Sequence, residues 1–131
     1  MKKLLIADDE KYMRLLVRTT LESSEYALSE AENGQQTLDL VRAEQPDLVL
    51  LDVMMPAPDG IAVCRAIRSD PDLAAMKVVM LTARGQAEER DAGLAAGADA
   101  YLTKPFSPLE LLALIEELLR PTVMGGSEQE R

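Results

Sequence analysis

Short apolar runs alternate with stretches of helical period along the whole chain. Leu4-Leu5-Ile6-Ala7 leads into Asp8-Asp9-Glu10, and Leu48-Val49-Leu50-Leu51 leads into Asp52. Val78-Val79-Met80-Leu81 leads into Thr82, and Tyr101-Leu102-Thr103 leads into Lys104-Pro105. Runs this short and continuous fit strands covered on both faces, as in parallel sheets. The pattern predicts strands near 3–7, 27–31, 48–52, 77–82 and 100–103. Helices are predicted near 10–22, 34–43, 60–68, 86–96 and 108–120. Regular alternation of the two element types points to βαβ units and an α/β fold with a parallel sheet.

Two helices can be oriented from their periodicity. In the first, Tyr12, Met13, Leu16, Val17, Thr20 and Leu21 fall on one side, with Lys11, Arg14, Arg18 and Glu22 opposite. Leu15 breaks that pattern. In the last, Leu111, Leu112, Leu114, Ile115, Leu118 and Leu119 form a broad apolar arc. Core packing accounts for most of the arc, and its breadth leaves room for a homodimer or partner face. Gly34, Gly60 and Gly97 with Asp99 punctuate turns. Pro121 stops the last helix, so one domain is expected over 1–120 and a mobile polar tail or linker start over 121–131.

Length agrees with that division, because 131 residues suit a single core. A net charge of −9 with no basic cluster argues against direct nucleic-acid binding by this domain. No apolar stretch reaches the roughly 18–20 residues that span a bilayer. Asp8-Asp9-Glu10 interrupts the N-terminal apolar run before it resembles a signal peptide. The single cysteine, Cys64, permits no internal disulfide and is read as a small buried apolar residue, which fits a cytoplasmic setting. The chain contains no histidine. If phosphate passes through it, any histidine donor belongs to a partner.

The strand ends carry the chemistry. Ligands of open α/β sheets bind at the carboxyl edge. That edge collects Asp8, Asp9, Asp52, Thr82 and Lys104. Three converging carboxylates repel one another unless a cation intervenes, and a hard divalent ion such as Mg²⁺ suits them. Capping of the first helix is the plainer use of Asp8 or Asp9. Asp52 is the candidate nucleophile, since a carboxylate can form an aspartyl-phosphate. Its plainer use is to bond the following turn. The loop after it, through Met54 and Pro56 to Gly60, can present the Met54 carbonyl to a metal. The Thr82 hydroxyl is placed to bond a phosphate oxygen, or else to cap a helix. Lys104, held extended before Pro105, is placed to reach Asp52. Tyr101 is either a packing aromatic or a rotamer switch.

These pieces together resemble the receiver domain of bacterial two-component response regulators. The matching segments are Ile6-Ala7-Asp8-Asp9-Glu10, Leu50-Leu51-Asp52-Val53-Met54-Met55-Pro56, Asp59-Gly60, Leu81-Thr82-Ala83 and Tyr101-Leu102-Thr103-Lys104-Pro105-Phe106. They stand in the family's order and span 3–120. The resemblance implies a doubly wound, flavodoxin-like fold with five helices and strand order 2-1-3-4-5. It implies that Asp52 accepts phosphate from a phosphohistidine on a sensor kinase or phosphotransfer protein. Asp9 and Asp52 would hold Mg²⁺ directly, Asp8 through water and Met54 through its backbone carbonyl. Thr82 and Lys104 would bind the phosphoryl oxygens. Movement of Thr82 with Tyr101 would carry the signal to the face of the fourth helix, fifth strand and fifth helix, and the apolar arc of the last helix makes a homodimer on phosphorylation a candidate outcome. The switched face is expected to act on an output partner or on an effector domain.

Other classes fit less well. A haloacid-dehalogenase-like phosphatase needs a second acid two residues after the nucleophile, where this chain has Met54. A flavodoxin-like electron carrier needs a phosphate loop where Asp8-Asp9-Glu10 would repel phosphate. The chain is therefore read as a signalling switch, not a turnover enzyme. The remaining alternative is a catalytically silent pseudo-receiver that serves for docking.

Overall fold

Residues 1–22 and 25–120 are described in the computed structural model, and their elements alternate strictly. They are β1 (Lys3–Ala7), α1 (Lys11–Leu21), β2 (Ala27–Ala31), α2 (Gly34–Glu44) and β3 (Leu48–Asp52). Then come α3 (Gly60–Ser69), β4 (Lys77–Ala83), α4 (Ala87–Ala95), β5 (Ala100–Lys104) and α5 (Pro108–Leu119). All strand pairs are parallel, in the order β2-β1-β3-β4-β5. The expected tail over 121–131 lies outside the described residues.

Strand alternation divides the core into two layers. Leu5, Ala7, Val49, Leu51, Val78 and Met80 pack with Val63, Cys64 and Ile67 of α3 and Val41 of α2. Leu4, Ile6, Leu48, Leu50, Val79, Leu81 and Leu102 pack with Val17 and Leu21 of α1 and Leu111 and Ile115 of α5. Burial on both faces explains the continuous apolar runs Leu4–Ala7, Leu48–Leu51 and Val78–Leu81 in β1, β3 and β4. Cys64 is buried in the first layer, as its small apolar reading required.

The face expected for α1 needs correction. Tyr12 is 87% exposed and Leu16 is 39% exposed. The buried stripe is Met13, Val17 and Leu21, an i, i+4, i+8 row narrower than the apolar arc. In α5 the broad arc is mostly core, because Leu112, Leu114, Leu118 and Leu119 pack partly buried against the second layer.

Local signals set the helix starts that frame the carboxyl edge. Asn33 and Asp59 cap α2 and α3 by accepting the N–H of Gln36 and Ala62, at 2.8 and 2.9 Å. Ser107 and Glu110 form a reciprocal capping box on α5. Gly60 is more than punctuation. A Cβ there would collide with the Asp52 carbonyl and the Val53 Cα, so the start of α3 can lie against the end of β3 only with glycine.

Candidate functional site

β1, β3 and β5 each end at the carboxyl edge in a residue that the preceding strand aims at the α1–α5 side. Ile6, Leu50 and Leu102 belong to that layer, and two residues further on stand Asp8, Asp52 and Lys104. Alternation therefore places these three side chains on one side of the sheet. Oxygens of Asp8, Asp9 and Asp52 lie within 4.8 Å of one another. The Lys104 ammonium sits 2.9 Å from Asp8 Oδ2, 3.5 Å from Asp52 Oδ1 and 3.5 Å from Glu10 Oε1. The Lys104–Pro105 and Ala57–Pro58 peptide bonds are cis.

Neither acid is used as a helix cap. Glu10 occupies the cap position of α1 and makes no side-chain cap bond. Asp8 Oδ1 accepts the Glu10 N–H at 2.9 Å, while Oδ2 is fully buried and accepts no well-directed hydrogen bond. Its neighbour is the Lys104 ammonium. The backbone beneath is held by Arg14, which donates to the Asp8 carbonyl at 2.8 Å. Asp52 Oδ1 accepts the Met54 N–H at 3.2 Å, so it does bond the following turn.

The electrostatics follow from this crowding. Burial, and then the charge of Asp8, push the Asp52 carboxyl up to about 6, against the opposing pull of Lys104. For Lys104, burial works against the charged form, but its close pairing with Asp8 and the charges of Asp52, Asp8 and Glu10 outweigh it and raise its pKa. Three hard oxygen donors, one of them a buried carboxylate oxygen with no well-directed hydrogen bond, fit a divalent cation of the Mg²⁺ type.

Above this cluster opens a cleft of about 580 Å³, lined among others by Asp9, Asp52, Met54, Ala83, Glu89 and Lys104. Met54 stands on its rim, with an exposed side chain. Thr82 and Tyr101 lie elsewhere. They belong to the alternate positions of β4 and β5, as does Thr103, and face the α4 side. The Thr82 hydroxyl is 3.5 Å from that of Thr103, and both line a smaller hollow with Arg90. Thr82 caps no helix, because α4 starts five residues later behind Gln86. Tyr101 is 38% exposed, with the Arg90 guanidinium 5.4 Å from its ring centre. Thus Asp8, Asp9, Asp52 and Lys104 are brought together, Met54 borders them, and Thr82 and Tyr101 form a separate group next door.

Comparison with known proteins decides the family. Residues 4–116 match the model of the response regulator receiver domain. The chain belongs to that family. Among curated relatives, the receiver is 46% identical over 120 residues to the response regulator MprA of Mycolicibacterium vanbaalenii, covering 92% of this chain and 51% of that protein. It is 42% identical over 127 residues to the phosphate regulon transcriptional regulatory protein PhoB of Pseudomonas aeruginosa, covering 97% and 56%. The chain therefore spans about half the length of the curated relatives it matches. The solved chemotaxis response regulator CheY4 of Vibrio cholerae superposes with a TM-score of 0.85 at 31% identity, covering 91% of this chain and 99% of that one. The strand order and five helices agree with this receiver fold. As a response-regulator receiver it is a signalling module with a generally phosphoryl-accepting role, and the family typically uses Mg²⁺. Among the described residues no helix is long and apolar enough to cross a membrane.

Two site residues escaped the sequence reading. Glu10 reaches Lys104, and Glu89 accepts the Ala83 N–H at 3.0 Å within the cleft. Glu89 carried only the weak signal of an acid in the first turn of a helix.

Proposed function

We propose that this receiver takes a phosphoryl group onto Asp52 from a phosphohistidine on a sensor kinase or phosphotransfer protein of the cytoplasm. The observation that carries the reading is the buried Asp52 carboxylate held among Asp8, Asp9 and Lys104 at the mouth of an open cleft. An oxygen of Asp52 attacks phosphorus and forms the O–P bond. The P–N bond of the donor breaks, and its electron pair returns to the imidazole.

Asp9 and Asp52 would hold Mg²⁺ directly, with Asp8 assisting through water and Met54 through its carbonyl. When bound, the ion supplies the positive charge that offsets three carboxylates and the transferring phosphoryl oxygens. Lys104 positions those oxygens and neutralises charge on the attacking side. Thr82, now beside Thr103, moves toward the phosphoryl and supplies a hydroxyl donor. That movement vacates space beside Tyr101, and the α4–β5–α5 face responds, with self-association as one outcome. Phosphorylation adds about −1.5 to −2 charge at one point, enough to bias an element with two arrangements.

Intact-mass spectrometry after incubation with acetyl phosphate tests the reading. A single Mg²⁺-dependent phosphoryl adduct is expected, absent from Asp52→Asn. No adduct under any condition would favour the silent docking module.

A further inference from the structure

The Ala83 amide has a partner that the proposed chemistry does not use. In a parallel ladder each residue directs its N–H and C=O to one neighbouring strand, and successive residues alternate between neighbours. The Leu81 carbonyl accepts the Val53 N–H at 3.2 Å, so Leu81, and by alternation Ala83, address the β3 side. β3 ends at Asp52, leaving no strand opposite Ala83. The Ala83 N–H is therefore an unladdered donor aimed over the end of β3, in a cleft it lines together with Asp52 and Lys104. Its hydrogen-bond partner is Glu89 Oε1, at 3.0 Å, reaching back from α4.

We infer that Glu89 is an internal anionic plug, a carboxylate that occupies the Ala83 amide and must leave it before a phosphoryl group on Asp52 can take that donor. The inference rests on Asp52 being the phosphoryl acceptor. Two physical points carry it. A backbone amide facing an anion site binds whichever anion is offered, and a tethered carboxylate competes with a phosphoryl oxygen for it. Glu89 is also outside the Asp8, Asp9 and Asp52 cluster, so a cation held there leaves its charge facing the incoming phosphoryl. Release has a direct mechanical consequence. The next residue, Arg90, lies over the Tyr101 ring, so withdrawal of Glu89 frees one of two neighbouring ties between the start of α4 and the sheet. Glu89 acts as a positioning residue, setting how readily the site closes over its anion.

The test uses the whole chain, ¹⁵N-labelled, titrated with beryllofluoride and Mg²⁺ as a phosphoryl mimic. Wild type is compared with Glu89→Ala, Glu89→Gln, Glu88→Gln and Asp52→Asn. Glu89→Ala is expected to bind the mimic about 10-fold more tightly and to lose exchange protection at the Ala83 amide before any mimic is added. Glu89→Gln keeps an acceptor oxygen without the charge, so it retains that protection and gains about 3-fold in affinity. Glu88→Gln removes the same charge from the same turn and is expected to match wild type. Equal affinities for wild type and Glu89→Ala, or equal gains in Glu88→Gln and Glu89→Gln, would overturn the plug while leaving Asp52 as acceptor. Failure of the mimic to bind any variant would overturn the acceptor reading, and the plug with it.

Discussion

The two edges of the sheet handle charge in opposite ways. At the amino edge Arg68, Asp99 and Asp47 are each held by specific partners. Arg68 donates from Nε to the Gly97 carbonyl at 2.7 Å, and from Nη1 to the carbonyls of Ala74 and Met76 at 2.9 and 2.6 Å. Its Nη2 meets Asp99 Oδ2 at 2.7 Å, an oxygen that also accepts the Val78 N–H at 2.8 Å. Asp47 Oδ2 takes the Lys3 N–H at 2.7 Å, closing the start of β1. At the carboxyl edge three carboxylates crowd one ammonium, one buried carboxylate oxygen lacks a well-directed hydrogen bond, and Asp52 is held near pKa 6. At the first edge Arg68 and Asp99 spend their charge on each other and on backbone groups. The second has charge that only a ligand can balance. Local rules broken at one end and obeyed at the other locate the working end of the molecule.

The largest expected effect comes from breaking the satisfied edge. Arg68→Ala removes four hydrogen bonds that join α3, the loop before β4 and the turn before β5. The loss is expected to be about 3 kcal/mol of stability, read as the urea midpoint, because each lost bond involves a charged donor. Phosphorylation below the melting temperature should be unchanged, since the residue lies at the far edge from Asp52. A variant as stable as wild type would show that the amino edge is not what holds the fold.

A smaller effect is expected at the other edge. Lys104→Met leaves buried Asp8 without its cation, an expected loss of about 2 kcal/mol without metal. Mg²⁺ should recover much of that loss, because a cation held by the carboxylates substitutes for the ammonium. The same midpoint with and without Mg²⁺ measures the recovery. An equal loss in both conditions would separate Lys104 from the carboxylate cluster.

How much of this was legible follows from which interactions are local. The strands read clearly because residues such as Leu48, Val49, Leu50 and Leu51 are all buried, which leaves a continuous apolar run. The acidic cluster read clearly because it needs only strand ends and parallel topology. The α1 face did not, because periodicity gives an apolar arc without saying which part meets the core, and Tyr12 and Leu16 lie outside the part that does. Arg68 was silent because its partners are mostly backbone carbonyls, one of them 29 positions away. The separation of Thr82 from Asp52 was legible in principle, since strand parity sends Thr82 and Asp52 to opposite faces. Glu89 was not, because its bond depends on how α4 seats over the end of β4.

The finest test removes the conflict itself. In the protein without metal, Asp52 stays protonated up to about pH 6, against an ordinary value of 3.8. A carboxyl whose folded pKa is raised binds its proton more tightly when folded, so its favourable contribution is complete below the ordinary value and is lost as pH rises through the folded one. Asp52→Asn carries no such dependence. The variant should therefore match wild type near pH 4, gain steadily between about pH 4 and 6, and level off above that. The plateau is expected at about 1–2 kcal/mol in its favour, less than the full shift implies because the cleft is open to water. Saturating Mg²⁺ should shrink or reverse the gain, since Asn cannot supply the carboxylate oxygen the ion needs. Thermal melts of both proteins across this range measure it. A gain already complete at pH 4, or one that Mg²⁺ leaves untouched, would mean that the crowded carboxylates are not in conflict, and the contrast between the two edges would fail at its most sensitive point.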